Sequence, residues 1–201
     1  VDRSRGLGDV YKRQLLLLGI TFTYRLSDMF LGPMAMPFYQ EIGFTKIQVA
    51  QITNFYGMWM TILGGLFAGL TLHRFGLVKN MIAGAIFVPL ANIPFIFLNL
   101  IGNDVNFLIF TITVDNFSQG FISVVGITFL SNMVSATYTA TQYALLYGLV
   151  VIPPNIISSG SGFVAEAYGF QNFFILCALL GIPAIVLTLM VWQKRDVFGF
   201  D

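Results

Sequence analysis

Six apolar runs, each about long enough to cross a bilayer, recur along the chain between short polar stretches. They are Leu15–Phe38, Val49–Leu72, Met81–Ile101, Val105–Leu130, Ala140–Val164 and Phe173–Trp192. Gln40–Lys46, His73–Asn80, Gly102–Asp104, Ser131–Thr139 and Glu166–Asn172 join them. The runs do not alternate in polarity and exceed the roughly 10 residues of a barrel strand. Lipid offers no partner to an open sheet edge, so each run must satisfy its own backbone as a helix. The pattern predicts an all-α transmembrane bundle.

The two halves of the pattern echo each other. Gly69-Leu-Thr-Leu-His73-Arg74-Phe-Gly76 closes the second run, and Gly162-Phe-Val-Ala-Glu166-Ala-Tyr-Gly169 closes the fifth. Both read Gly-x-x-x-polar-x-aromatic-Gly, at the same place in a three-helix unit but on opposite membrane sides. This predicts a 3+3 inverted repeat. The glycines also suit helix ends and close packing.

Composition narrows the class. The chain is 57% hydrophobic and 9% charged, against roughly 25% charged in a soluble domain. Its 21 phenylalanines suit lipid-facing surfaces, and its net charge of +1 argues against a nucleic-acid partner. The single Cys177, in an apolar run, excludes an internal disulfide and reads as a small buried side chain. No run contains His or Lys and no metal-ligand cluster stands out, so neither an intramembrane serine hydrolase nor a metalloenzyme is expected. We expect no enzyme activity and no cofactor; His73 reads as an ordinary loop residue.

Asp9-Val10-Tyr11-Lys12-Arg13-Gln14 is what the end of a transposon used in sequencing libraries would encode. Residues 1–14 are therefore read as translated adapter, and the chain as a fragment whose N-terminal part is missing. Residues 15–195 form the bundle and 196–201 a tail. If the first run starts in the cytoplasm, Arg74, Lys79, Lys194 and Arg195 are cytoplasmic and Lys46 lies outside. The positive-inside rule selects that orientation.

Three charges lie inside the runs: Arg25 and Asp28 in the first, Asp115 in the fourth. A charge at the bilayer centre costs about 2.5–3.5 kcal/mol on insertion scales. Asp28 and Asp115 each sit ten residues from the outer end of their run, roughly 15 Å deep. Arg25 and Asp28 share a helix face and can pair. Asp115 has no such partner, while Asn116, Ser118 and Gln119 add hydrogen-bonding groups beside it. A carboxyl at that depth can bind and release a proton. The third and sixth runs carry no internal charge, as expected of helices that face lipid. Elsewhere, Gly65-x-x-x-Gly69 permits close helix approach, and Pro153-Pro154 should kink the fifth run. Thr137 or Thr139 can cap the fifth helix, which Thr141 and Gln142 open.

Tyr24-Arg-Leu-Ser-Asp28, Asp115-Asn-Phe-Ser-Gln-Gly120 and Thr139-Ala-Thr-Gln-Tyr-Ala-Leu-Leu146 resemble the C-terminal half of the AmpG-type muropeptide permeases, within the major facilitator superfamily. Gly69–Lys79 resembles that superfamily's loop signature, with His73 where the signature has Asp. The resemblance covers about Leu15 to Arg195. It implies helices seven to twelve of a twelve-helix core, with the first and fourth helices here lining a central cavity. It implies import of anhydro-muropeptides, glycopeptides of peptidoglycan recycling, driven by the proton gradient across the bacterial inner membrane. The partners are then lipid, the missing N-terminal six-helix half and the glycopeptide. Arg25, Asp28, Asp115, Asn116 and Gln119 become the proton and substrate pathway. Gly69, His73, Arg74, Gly76, Thr141 and Gln142 become loop-signature and gate residues. The family often has Glu where Asp115 stands. Another cargo, such as acetyl-coenzyme A, and a non-transporting receptor or scaffold remain open.

Overall fold

A computed structural model describes residues 3–132 and 139–193, with side chains from Gly19 onward except at Thr139. The tail 196–201, the basic pair Lys194-Arg195 and Thr137 lie outside the described residues.

Six helices account for nearly all of these residues. They are α1 (Arg3–Glu41), α2 (Lys46–Phe75), α3 (Leu77–Ile101), α4 (Val105–Asn132), α5 (residues 139–168) and α6 (residues 170–193). Four of the connections turn on a glycine with positive φ: Gly43 (99°), Gly76 (79°), Gly102 (85°) and Gly169 (75°). Gly76 and Gly169 share one backbone conformation, with ψ of 173° and 159°. A side chain on a residue there would clash with its own backbone, so glycine is the residue that fits.

Packing shows that the chain reverses at Gly169. One apolar cluster joins Ile20, Tyr24, Ala68, Met81, Phe121, Phe129, Ala184 and Val191. The other joins Phe38, Phe44, Phe95, Leu108, Ala165, Phe173 and Phe174. We call these the near and far ends. α2 runs from the far cluster to the near one and turns at Gly76; α5 reaches the far cluster and turns at Gly169. The paired motifs therefore end at opposite faces of the bundle, the geometry of an inverted repeat.

Local sequence explains the remaining ends. Thr45 and Gln48 form a reciprocal capping box at the start of α2. The Asp104 carboxylate accepts from the backbone N–H groups of Asn106 (2.8 Å) and Phe107 (3.1 Å), capping α4. Asn103 donates to the Gly43 carbonyl (3.0 Å) and ties the two far-end turns together. α2 opens into a π-helical segment at Gln51–Gly57. Such widened turns often mark functional sites.

Three expectations concern the prolines, the phenylalanines and the glycines. Helix α5 runs unbroken through Pro153-Pro154 and is interrupted only at Ser159-Gly160. Each proline removes one backbone hydrogen bond and crowds the carbonyl four residues back. Second, the phenylalanines are not mainly lipid-facing: Phe38, Phe95, Phe121, Phe129, Phe173 and Phe174 are among the largest fully buried side chains. At the far end they pack ring to ring, with Phe38 and Phe174 centroids 4.6 Å apart at 76°. Third, the closest α2–α4 approach lies at Gly64 and Gly120, with Gly65 beside it, where a Cβ would sit 3.3 Å from Val124. A Cβ on Gly64 would strike the Phe117 carbonyl, and one on Gly120 the Thr61 carbonyl, whereas Gly69 has nothing nearby.

Candidate functional site

Between the two apolar clusters lies a polar layer, assembled mainly from α1, α3 and α4. Its position follows from helical spacing on α1. Ile20, Tyr24, Ser27 and Leu31 form the buried stripe, which places Thr21, Arg25 and Asp28 on the adjoining face. Hydrogen bonds lock the rotation of α1. The Tyr24 hydroxyl donates to the Met81 carbonyl on α3 (2.5 Å), beside Gly84, where a Cβ would meet the phenol oxygen. Ser27 Oγ donates to the Cys177 carbonyl on α6 (2.6 Å) and accepts from Asn92 Nδ2 on α3 (3.0 Å).

Two cavities flank Asp28. The larger, about 230 Å³, is lined on α1 by Thr21, Tyr24, Arg25 and Asp28. Gln119, Ser123 and Leu130 of α4 and Tyr147 and Val150 of α5 face it. The smaller, about 10 Å³, lies among Ser27, Asp28, Asn92, Asp115, Ser118 and Gln119. Asp28 and Gln119 belong to both. Gln119 Nε2 donates to the Asp28 carboxylate and joins α4 to α1 at this point. Gln119 also stands one turn beyond Asp115 on α4, and Asp115 lines the smaller cavity together with Asp28.

Arg25 makes no ion pair within 4.0 Å and no hydrogen bond among the described residues. The i, i+3 spacing that permits an Arg25–Asp28 pair is therefore not used for a close contact. Asp28 turns to Gln119, which leaves the guanidinium in the wall of the larger cavity.

The remaining expected residues separate by place. Asn116 points away from the cavities: its Oδ1 accepts from Thr61 Oγ1 on α2 (3.2 Å), its Nδ2 donates to the Ile112 carbonyl (3.0 Å), and it abuts Gly57. Next to it, Tyr56 of the π-helical segment bonds Thr113 (3.0 Å). Asn116 thus fastens α2 to α4. His73 and Arg74 are exposed at the near end, with the Arg74 guanidinium 5.6 Å from the Phe75 ring centroid. Thr141 is exposed and Gln142 half-buried, and neither lines either of these two cavities. Residues not foreseen are Ser27 and Asn92 in the small cavity and Thr21, Ser123 and Tyr147 in the large one. Asn92 had a signal, as a polar residue inside the third run. Helix α3 is the most buried of the apolar segments, and Ile86, Leu90, Ile93, Phe97 and Leu100 remain exposed along it.

Among the described residues, five segments are long and apolar enough to cross a membrane: Lys46–Phe75, Leu77–Ile101, Val105–Asn132, Ala140–Ser158 and Ser161–Gln193. Helix α1 is long enough but carries Arg25 and Asp28. The model of the Major Facilitator Superfamily matches residues 17–197. The chain belongs to the major facilitator superfamily.

This major facilitator chain is 31% identical over 192 residues to a Rickettsia conorii protein named as transporter AmpG 4, covering 94% of the chain and 46% of that protein. The Rickettsia felis protein of the same name matches equally, at 31%. AmpG 1 of Rickettsia bellii is 28% identical over 180 residues, covering 90% of the chain and 44% of that protein. The chain spans somewhat less than half the length of these curated relatives. It is a multi-pass membrane protein of a transporter superfamily, folded as half of that superfamily's helical core.

Proposed function

We propose that this chain is the C-terminal half of a proton-coupled importer of anhydro-muropeptides, acting in peptidoglycan recycling across the bacterial cytoplasmic membrane. The reading rests on Asp28 and Asp115, carried by separate helices, lining one small cavity with Gln119 beside a larger one walled by Arg25, which has no ion pair among the described residues. Ionisable groups buried at this depth are expensive and serve ion or substrate pathways. Arg25 would hold a carboxylate of the peptide part of the cargo through its planar, fork-shaped donors. Asp115, which has no cationic side chain in its own cavity, would take up the proton. The relatives' name supports the cargo class.

Transport would proceed by alternating access, this half rocking against the six-helix half that precedes it in the whole protein. The broad apolar faces of α2 (Trp59, Leu63, Leu66, Leu70) and α5 (Leu145, Leu149, Ile152, Ile156) are exposed and would meet that half or lipid. The near end, with His73 and Arg74, would be cytoplasmic. The test is uptake of labelled anhydro-muropeptide by cells expressing the intact gene. Accumulation above the external concentration that collapses with an uncoupler is expected. Uptake equal to that of cells lacking the gene would refute the reading.

A further inference from the structure

The smaller cavity differs in chemistry from the larger one it adjoins. Its volume, about 10 Å³, is close to the least that admits one water-sized particle. Two carboxylates, Asp28 and Asp115, face it, and none of its lining residues is basic; Arg25 lines the other cavity. Counting all three charges, two carboxylates against one guanidinium leave one negative charge unbalanced. Buried charge of that kind requires a counter-charge or a proton.

Two of the neutral groups around it, Ser118 and Asn92, keep an oxygen with no hydrogen-bond partner among the described residues. Ser118 is 5% exposed, lines the cavity, and has no hydrogen-bond partner among the described residues. This is unusual for a helical serine, which ordinarily bonds a carbonyl one turn back. Asn92 is 4% exposed and spends its Nδ2 on Ser27 Oγ (3.0 Å) and on the Val88 carbonyl (3.2 Å). That leaves its amide oxygen as the free end. Asp28, Asp115, Asn92 and Ser118 thus bring oxygen atoms from three helices to one small space. Hard cations take oxygen ligands of this kind. Among the described residues no group of three or more His, Cys, Asp or Glu could hold a metal ion, which argues against a transition metal. The single unbalanced charge selects a monovalent ion over a divalent one.

We propose that this cavity is a binding site for one small monovalent cation, sodium, held by Asp28, Asp115, Asn92 and Ser118 behind the larger cavity. The site stands or falls independently of the cargo. The ion would bridge α1, α3 and α4 and balance the carboxylates when no proton does.

The test uses the full-length protein in detergent. Its thermal unfolding midpoint is measured in sodium, lithium, potassium and choline chloride at equal ionic strength, with radioactive sodium binding alongside. Sodium is expected to raise the midpoint above choline by several degrees, in line with ligand-linked stabilisation, with potassium near choline. Ser118→Ala should shift the half-effect concentration by about tenfold or more, and Asp115→Asn should abolish the effect. Equal midpoints in sodium and choline, with no sodium bound, would overturn the site even if proton-driven uptake persists. A sodium effect undiminished in both variants would also overturn it, because the ion would then bind elsewhere. Sodium binding without muropeptide uptake would leave the site standing and refute only the proposed cargo.

Discussion

Gln119 on α4 donates its carboxamide hydrogen to the carboxylate of Asp28 on α1, across 91 residues of sequence. That bond decides how the buried charges divide. It satisfies Asp28 without the neighbouring arginine, turns Arg25 toward the larger cavity, and sets Asp28 at the wall between the two cavities. Asp115 is left with oxygen-bearing neighbours and no cation beside it.

Replacing Asp115 by Asn keeps the shape and removes the carboxyl proposed to exchange a proton. In the full-length transporter, Asp115→Asn should lower uncoupler-sensitive accumulation by about tenfold or more, a loss of at least about 1.4 kcal/mol in coupling. Exchange of labelled for unlabelled solute, which needs no net proton movement, should persist. Uphill accumulation at the wild-type level in this variant would remove Asp115 from the coupling step.

The α2–α4 contact and the open space beside Gly69 give a matched pair of variants. A Cβ on Gly120 would meet the Thr61 carbonyl, which is backbone and cannot swing aside. Gly120→Ala should therefore destabilise the protein by roughly 1–3 kcal/mol, as overpacking does. Gly69→Ala adds a methyl to open space in a helix and should be neutral or stabilising by up to about 1 kcal/mol. Thermal unfolding of the two variants in one detergent gives the comparison; equal losses would mean that the contact is looser than described.

Gly76 and Gly169 provide a test of the repeat. Both hold a conformation with φ of 79° and 75° that is essentially restricted to glycine. Alanine at either position should cost about 1–3 kcal/mol, and the two losses should be similar because the two turns are. Neither glycine has a neighbour that a methyl would strike, so the cost is one of backbone conformation alone. Alanine tolerated at both positions without change in unfolding midpoint would show that the turns can adopt another geometry.

Hydropathy is a local property, and what depends on it was legible in the sequence. Helix positions, their short connections, and the common depth of Asp28 and Asp115 follow from counting residues along apolar runs. The Gly76 and Gly169 turns were legible too, because the conformation they hold restricts the residue to glycine. The superfamily resemblance rested on short motifs at those same places.

Which way each helix faces was not legible. In a soluble protein the buried stripe is the apolar one, but lipid is as apolar as a helix interface, so apolar residues mark both faces alike. Packing decided the matter through size and hydrogen-bond reach. It placed Gly64 rather than Gly69 against α4, sent Asn116 to α2, drew the phenylalanines inward, and brought Asn92 and Ser27 to the carboxylates. The sequence by itself determined which helices carry the charges inside apolar runs. Only the tertiary structure decided that Asp28 meets Gln119 and that Arg25 faces a different cavity from Asp115, because those relations depend on helix rotation and contact between distant residues.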